Sequence, residues 1–132
     1  MNNIGDELVL IVDDNEKNLR LARDVLRFAG LRTLEASTAA DGIRLAAIHL
    51  PDLILMDVRL PGTDGPAALG ELRSRARTAG IPVVAVTSSA MMGDRERLLA
   101  AGFDGYLEKP IQVKEFAEQV RAYCRQRERG DR

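Results

Sequence analysis

The sequence predicts an α/β domain in which five β-strands alternate with five α-helices and form a doubly wound parallel sheet. Two observations support this fold class. Short apolar runs rich in β-branched residues alternate along the chain with amphipathic stretches. Three of the runs, at 8–12, 53–56 and 82–86, are apolar on both faces, which is typical of parallel strands covered by helices on each side.

Capping and turn residues delimit the elements in order. Asn15 is a suitable N-cap for the first helix, and Gly30 ends it. Pro51 closes the second helix, the turn formers at 60–65 predict a loop before the third, and Gly102 ends the fourth. The predicted strands are 8–12, 32–36, 53–57, 82–87 and 105–108, and the predicted helices are 16–29, 38–50, 66–77, 94–101 and 113–125.

The last predicted helix carries an apolar stripe with the spacing i, i+3, i+4, i+7 and i+11, which indicates one buried face. The stripe consists of Val113, Phe116, Ala117, Val120 and Cys124. We expect one domain over 1–132, with a core at about 7–125 and a short tail at 126–132, since this length suffices for a single interior.

Composition excludes several classes of protein. The 19 basic and 20 acidic side chains give a net charge of −1, without the basic excess of a nucleic-acid or membrane-surface binder. No apolar run approaches the roughly 18 residues of a membrane span, and the first residues do not resemble a signal peptide. Cys124 is the single cysteine, so an internal disulfide is impossible. We therefore expect a cytoplasmic protein with no direct contact to nucleic acid or membrane.

Polar side chains follow four of the predicted strands, at the point where each strand ends. Asp13 and Asp14 follow the first strand, Asp57 the third, Thr87 the fourth and Lys109 the fifth. Ligands of open parallel sheets bind beyond these ends, so the side chains are expected to converge. Two carboxylates about 4 Å apart repel by about 4 kcal/mol at an effective dielectric near 20. One lysine does not offset three acids, and oxygen-only ligands favour Mg²⁺ as the compensating cation.

A metal-bound carboxylate that faces an ammonium group and a hydroxyl is suited to phosphoryl transfer. The motifs that carry these groups are Asp13-Asp14-Asn15, LILMD ending at Asp57, VVAVT ending at Thr87, and GYLEKP with Lys109-Pro110. Together they resemble the receiver domain of bacterial response regulators over about 7–125, and they are most like the stand-alone single-domain receivers.

The resemblance implies a flavodoxin-like sheet with strand order 2-1-3-4-5. It also implies a phosphoacceptor switch in a two-component or phosphorelay pathway, which signals through protein–protein contact with an unknown downstream partner. Such a domain is not a conventional enzyme, although it catalyses its own phosphorylation and slow autodephosphorylation. The expected phosphodonor is a sensor histidine kinase or a histidine phosphotransfer protein, and the expected state is a monomer or a weak dimer linked to phosphorylation.

Site roles also follow from the resemblance. Asp57 is expected to accept the phosphoryl group from a phosphohistidine. Asp14, Asp57 and the main-chain carbonyl of Arg59 are expected to hold Mg²⁺ directly, and Asp13 largely through a water molecule. Lys109 is expected to pair with a phosphate oxygen.

The remaining positions concern the switch. The resemblance implies that the Lys109–Pro110 bond is cis and that Thr87, with Ser88 beside it, contacts the phosphoryl group. Tyr106 matches the aromatic position that turns inward when Thr87 moves. Arg59 and Ser89, two residues beyond Asp57 and Thr87, occupy positions that tune the phosphate lifetime, so we expect Arg59 to modify spontaneous dephosphorylation.

Several other interpretations remain open from the sequence. Asp13-Asp14 could cap a helix, and Tyr106 could be an ordinary half-buried aromatic residue. A flavin carrier shares the sheet order, but two acids after its first strand would repel the flavin phosphate. A haloacid-dehalogenase-like phosphatase requires a second acid where this chain has Arg59. A phosphate relay or phosphate sink, or a receiver that is never phosphorylated, would use the same fold.

Overall fold

The computed structural model describes residues 7–60, 65–88 and 92–130, and it contains one five-stranded parallel sheet. The strand order is β2-β1-β3-β4-β5, which confirms the predicted topology. The strands are β1 (Leu8–Val12), β2 (Arg32–Ala36), β3 (Leu53–Asp57), β4 (Val83–Thr87) and β5 (Gly105–Glu108). The helices are α1 (Glu16–Phe28), α2 (Ala39–His49), α3 (Gly65–Arg73), α4 (Met92–Ala100) and α5 (Val113–Gly130).

Two hydrophobic clusters cover the two faces of the sheet, because alternate residues of a strand point to opposite faces. Leu10 and Val12 of β1 belong to the cluster on the side of α2 and α3, while Val9 and Ile11 belong to the cluster on the side of α1 and α5. Every residue of β3 and β4 is buried, as expected for central parallel strands. Phe116, Val120 and Cys124 of the predicted α5 stripe are buried, whereas Val113 in the first turn of the helix is exposed.

The register brings the carboxyl ends of the strands to one edge of the sheet. Asp57 of β3 lies opposite Val86 of β4, and Thr87 lies opposite Glu108 of β5. The site residues that follow these strands therefore start from neighbouring backbone positions. Among the described residues, no helix is long and apolar enough to cross a membrane.

Two predicted helix ends were wrong. Helix α3 ends at Arg73 rather than at residue 77, because the backbone carbonyl of Leu72 accepts the hydroxyl of the buried Thr78 in a turn. Helix α5 continues to Gly130, beyond the predicted end at residue 125 and into the predicted tail at 126–132. The sequence at 125–129 consists of Arg, Gln and Glu, which are residue types of high helix propensity.

Arg73 connects the end of α3 to the segments that precede β4 and β5. Its Nη1 donates to the carbonyls of Ala79 at 3.1 Å and Ile81 at 2.7 Å. Its Nη2 donates to the carbonyl of Gly102 at 3.2 Å and pairs with Asp104 at 2.8 Å. One side chain therefore satisfies three backbone carbonyls outside α3, in the segments that precede β4 and β5.

We expect Arg73→Ala to lower the free energy of unfolding by about 2 kcal/mol, because the three carbonyls before β4 and β5 lose a charged hydrogen-bond donor. Arg75→Ala is the matched control, since its pair with Glu71 is exposed and is worth less than about 0.5 kcal/mol. Urea unfolding monitored by circular dichroism measures both values. Equal midpoints for the two variants would show that the Arg73 contacts contribute nothing.

Candidate functional site

Three carboxylates meet at the carboxyl edge of the sheet. Asp13 follows β1 and is 4% exposed, Asp57 ends β3 and is 6% exposed, and Asp14 is exposed. One oxygen from each of the three lies within 4.8 Å of the others. The predicted convergence of these acids is confirmed.

Local hydrogen bonds orient the buried acids. The backbone N–H of Asn15 donates to Asp13 Oδ1 at 2.9 Å, and Asn18 Nδ2 donates to Asp13 Oδ2 at 3.4 Å. Asn15 caps α1 as predicted, since its side chain accepts from the backbone N–H of residues 17 and 18. The backbone N–H of Arg59 donates to Asp57 Oδ1 at 2.9 Å. Each buried carboxylate thus has one oxygen held by the backbone two residues further along the chain.

Lys109 lies between the two buried acids. Its Nζ is 3.0 Å from Asp13 Oδ2 and 3.2 Å from Asp57 Oδ2, and its bond to Pro110 is cis, as predicted. Burial alone would lower the pKa of Lys109, but the hydrogen bond and charge of Asp13, with those of Asp57, raise it above its ordinary value. Lys109 is therefore an ammonium ion at neutral pH, and the cluster sets three carboxyl groups against one ammonium group.

The hydroxyl position lies on β4, which pairs with the strand of Asp57, and the aromatic position lies on β5 beyond it. Thr87 is the last residue of β4 and is 3% exposed, and its carbonyl accepts the backbone N–H of Lys109 at 2.8 Å. Ser88 follows it and is exposed. Tyr106 of β5 lies opposite Ala85 and is half-buried against the cluster on the side of α2 and α3. Predicted contacts of the Thr87 hydroxyl with a phosphoryl group remain predictions.

The donor set of the cluster fits a hard divalent cation. Asp13, Asp14 and Asp57 offer only carboxylate oxygens, and no cysteine or histidine belongs to this group of described side chains. Such oxygen ligands suit Mg²⁺, which is commonly held by one or two carboxylates together with water and phosphate oxygens. The excess negative charge at a partly buried edge provides the electrostatic reason for binding a dication.

Some positions lie outside this geometry or were missed. Ser89 lies outside the described residues, so its tuning role remains a prediction. The side chain of Arg59 is exposed, and the contact with Asp57 comes from the backbone N–H of Arg59. Sequence reasoning missed Asn18, which could have been found because it lies one helical turn beyond the N-cap. It also missed Arg95, whose contact with Tyr106 has no local sequence signal.

Comparison with known proteins defines the class to which this fold and site belong. Residues 9–121 match the response regulator receiver domain family, and the chain is a member of that family. The chain is 41% identical over 115 residues to the polar-differentiation response regulator DivK of Brucella ovis, which covers 87% of this chain and 94% of that protein. DivK of Brucella anthropi matches with the same identity and coverage.

Solved structures agree with this assignment. A CheY-like receiver domain from Methanospirillum hungatei superimposes with a TM-score of 0.84 and 26% identity, covering 95% of this chain and 98% of that chain. The receiver domain of a sensor histidine kinase from Pseudomonas aeruginosa gives a TM-score of 0.81 and 34% identity, covering 90% and 98%. That structure has a magnesium ion coordinated in its active-site cleft.

Membership in the family decides between the classes that the sequence left open. A receiver domain is a signalling switch of two-component systems and not a conventional enzyme, and it interacts with histidine kinases or phosphotransfer proteins. The flavin carrier and the haloacid-dehalogenase-like phosphatase are therefore no longer alternatives. The position two residues after Asp57 is Arg59, and it presents a backbone N–H rather than a second acid to the carboxylate.

Proposed function

We propose that Asp57 accepts a phosphoryl group from a phosphohistidine and that this modification switches the protein between two signalling states. The observation that supports the proposal is the arrangement of charged groups around Asp57. The Lys109 ammonium lies 3.2 Å from Asp57, while Asp13 and Asp14 place carboxylate oxygens within 4.8 Å of it. A carboxylate held by a backbone N–H beside an ammonium group has the arrangement required of a nucleophile whose target is an anion.

In the proposed step, Asp57 Oδ2 attacks the phosphorus atom. The oxygen–phosphorus bond forms as the phosphorus–nitrogen bond of the phosphohistidine breaks, and the departing imidazole nitrogen takes up a proton from solvent. Lys109 would move its ammonium contact from the Asp57 carboxylate to a phosphoryl oxygen. The Arg59 N–H would keep Oδ1 fixed, so that the other oxygen faces the donor.

Asp14, Asp57 and the carbonyl of Arg59 would hold Mg²⁺ directly, and Asp13 would act mainly through water. Both oxygens of Asp13 already accept hydrogen bonds or an ion pair from this chain, which supports the indirect role. When bound, the cation supplies positive charge that stabilises the phosphoryl oxygens. The magnesium ion in the Pseudomonas aeruginosa receiver supports this assignment.

The switch would run from Thr87 to Tyr106. The added group carries about −1.5 to −2 charges, by analogy with other phosphorylated side chains, and attracts hydroxyl donors. The Thr87 hydroxyl, with Ser88 next to it, would move toward Asp57, and the Tyr106 ring would turn into the space that Thr87 leaves. The phosphoryl group would shift the equilibrium between the two arrangements by the difference in its interaction free energy with each of them.

We propose that the chain acts as one receiver unit that passes the change on by protein contact with a downstream partner. Arg59, whose side chain is exposed beside the acceptor, would tune the phosphate lifetime. The decay rate of the phosphorylated protein, compared between the wild type and Arg59→Ala, measures this. Equal rates would exclude a tuning role for Arg59.

The proposal is tested by incubating the protein with acetyl phosphate and Mg²⁺ and measuring the intact mass. We expect a gain of one phosphoryl mass, which is lost when EDTA replaces Mg²⁺. A purified phosphohistidine donor should give the same product. Absence of the added mass from both donors at millimolar Mg²⁺ would contradict the proposed function.

A further inference from the structure

The guanidinium group of Arg95 lies over the ring of Tyr106. The guanidinium carbon of Arg95 in α4 lies 4.8 Å from the centroid of the Tyr106 ring, within the range of a cation–π contact. Arg95 itself is exposed, whereas Tyr106 is half-buried at the edge strand β5. The contact therefore joins the helix that follows Thr87 in the chain to the aromatic residue of β5.

The backbone beneath that ring is fixed independently of the ring. Tyr106 pairs with Ala85 of β4, and the side chain of Tyr123 in α5 forms a hydrogen bond with the backbone of Tyr106. Tyr123 fits there because residue 105 is glycine, where an added Cβ would lie 2.2 Å from the Tyr123 hydroxyl. Movement at Tyr106 is therefore expected in the side chain, and Arg95 contacts the part that moves.

We propose that Arg95 is a positioning residue that holds the Tyr106 ring in its present position and thereby sets how readily the protein enters its signalling state. The inference rests on the proposed function, in which the ring turns inward toward Thr87. When the Tyr106 ring turns inward, it moves away from the Arg95 guanidinium group. The contact between them therefore stabilises only one of the two arrangements. Because such coupling is reciprocal, loss of the contact also favours phosphorylation of Asp57.

The effect is limited by exposure. A cation–π contact at an exposed site shifts an equilibrium by about two- to fivefold. We therefore expect Arg95→Gln to raise the rate of phosphorylation by acetyl phosphate by about two- to fivefold. Arg75→Gln removes the same charge from an exposed position in another segment, so it serves as the control and is expected to leave the rate unchanged.

Fluorine NMR of the tyrosines gives a readout that would stay the same if Arg95 had only a structural role. The chain has two tyrosines, so labelling with 3-fluorotyrosine gives two resonances, and Tyr123→Phe assigns them. Beryllofluoride with Mg²⁺ serves as the phosphoryl analogue. In the protein without the analogue, Arg95→Gln should move the Tyr106 resonance part of the way toward its position in the beryllofluoride-treated wild type. Arg75→Gln should leave it in place.

Two failures can be told apart. If beryllofluoride moves the Tyr106 resonance of the wild type but Arg95→Gln does not, the role of Arg95 is wrong and the proposed switch stands. If beryllofluoride leaves the wild-type resonance unchanged, the switch through Tyr106 and the role of Arg95 are both wrong. A double variant adds specificity. In a Tyr106→Leu background, Arg95→Gln should no longer change the phosphorylation rate, and a persisting effect would overturn the proposal.

Discussion

Replacing Asp57 with Asn is expected to reduce phosphoryl uptake from acetyl phosphate by at least about a thousandfold, because the nucleophilic oxygen is lost. The amide has nearly the same shape as the carboxylate and still accepts the Arg59 N–H through its oxygen. The variant should therefore fold, and its urea midpoint shows whether it does. Intact mass spectrometry measures the uptake.

Asp24→Asn is the control for this prediction, because Asp24 is an exposed acid of α1 outside the carboxylate cluster. It should take up the phosphoryl group as the wild type does. Uptake by a folded Asp57→Asn protein at the wild-type rate would mean that another residue is the acceptor. Loss of uptake in both variants would mean that the change acts through overall charge rather than through the nucleophile.

Replacing Lys109 with Met is expected to lower the free energy of unfolding by about 2 kcal/mol at pH 7 in EDTA. Asp13 and Asp57 would then be left without the ammonium group that contacts both. Removing one partner of a fully buried ion pair costs about 3–5 kcal/mol, and we expect less because the Lys109 side chain is 19% exposed and partly screened. Urea unfolding measures the loss.

The pH range of this measurement follows from the direction of the pKa shift. Folding raises the pKa of Lys109 above its ordinary value of 10.5. The contribution to stability is therefore complete below about pH 10.5 and is lost as pH rises through the folded-state pKa. Neutral pH thus reports the full effect.

Added Mg²⁺ should recover part of the stability lost in Lys109→Met, because a cation that binds only the folded protein stabilises it by an amount that grows with the logarithm of one plus the ratio of its concentration to its dissociation constant. Lys114→Met provides the control, since Lys114 is an exposed lysine of α5. It should change stability by less than about 0.5 kcal/mol. Equal losses in the two variants would show that Lys109 does not hold the acids together.

The convergence of the acids could be predicted because it depends on a rule of topology. Asp13 and Asp57 follow strands that run parallel, so they reach the same edge whatever the loops do. The cluster of oxygens within 4.8 Å and the contact of Lys109 with both buried acids agree with that reasoning. The sequence did not show how the hydrogen bonds and ion pairs are divided between the two buried acids. Asp13 has contacts from Asn15, Asn18 and Lys109, which is one more than the described part of the structure gives Asp57.

The errors arose where tertiary contacts determine local structure. The end of α3 depends on hydrogen bonds from Thr78 and Arg73. Thr78 donates to the carbonyl of Leu72, and Arg73 donates to carbonyls as distant in the chain as Ile81 and Gly102. The periodicity of apolar residues does not reveal such hydrogen bonds, so the predicted α3 was too long. The contact between Arg95 and Tyr106 depends on how α4 packs beside β5, and that packing leaves no periodic signal. By contrast, the N-cap at Asn15 is local and was predicted correctly.

The most direct measurement locates the phosphoryl group on the chain. Reducing the phosphorylated protein with borohydride converts an aspartyl phosphate into homoserine, and trypsin then separates the candidate acids. Asp57 falls in the peptide 45–59, whereas Asp13 and Asp14 fall in the peptide 1–17. We expect homoserine at residue 57 alone, in a yield that depends on Mg²⁺. Homoserine at residue 13, 14 or 52 with an intact Asp57 would contradict the assignment of this site.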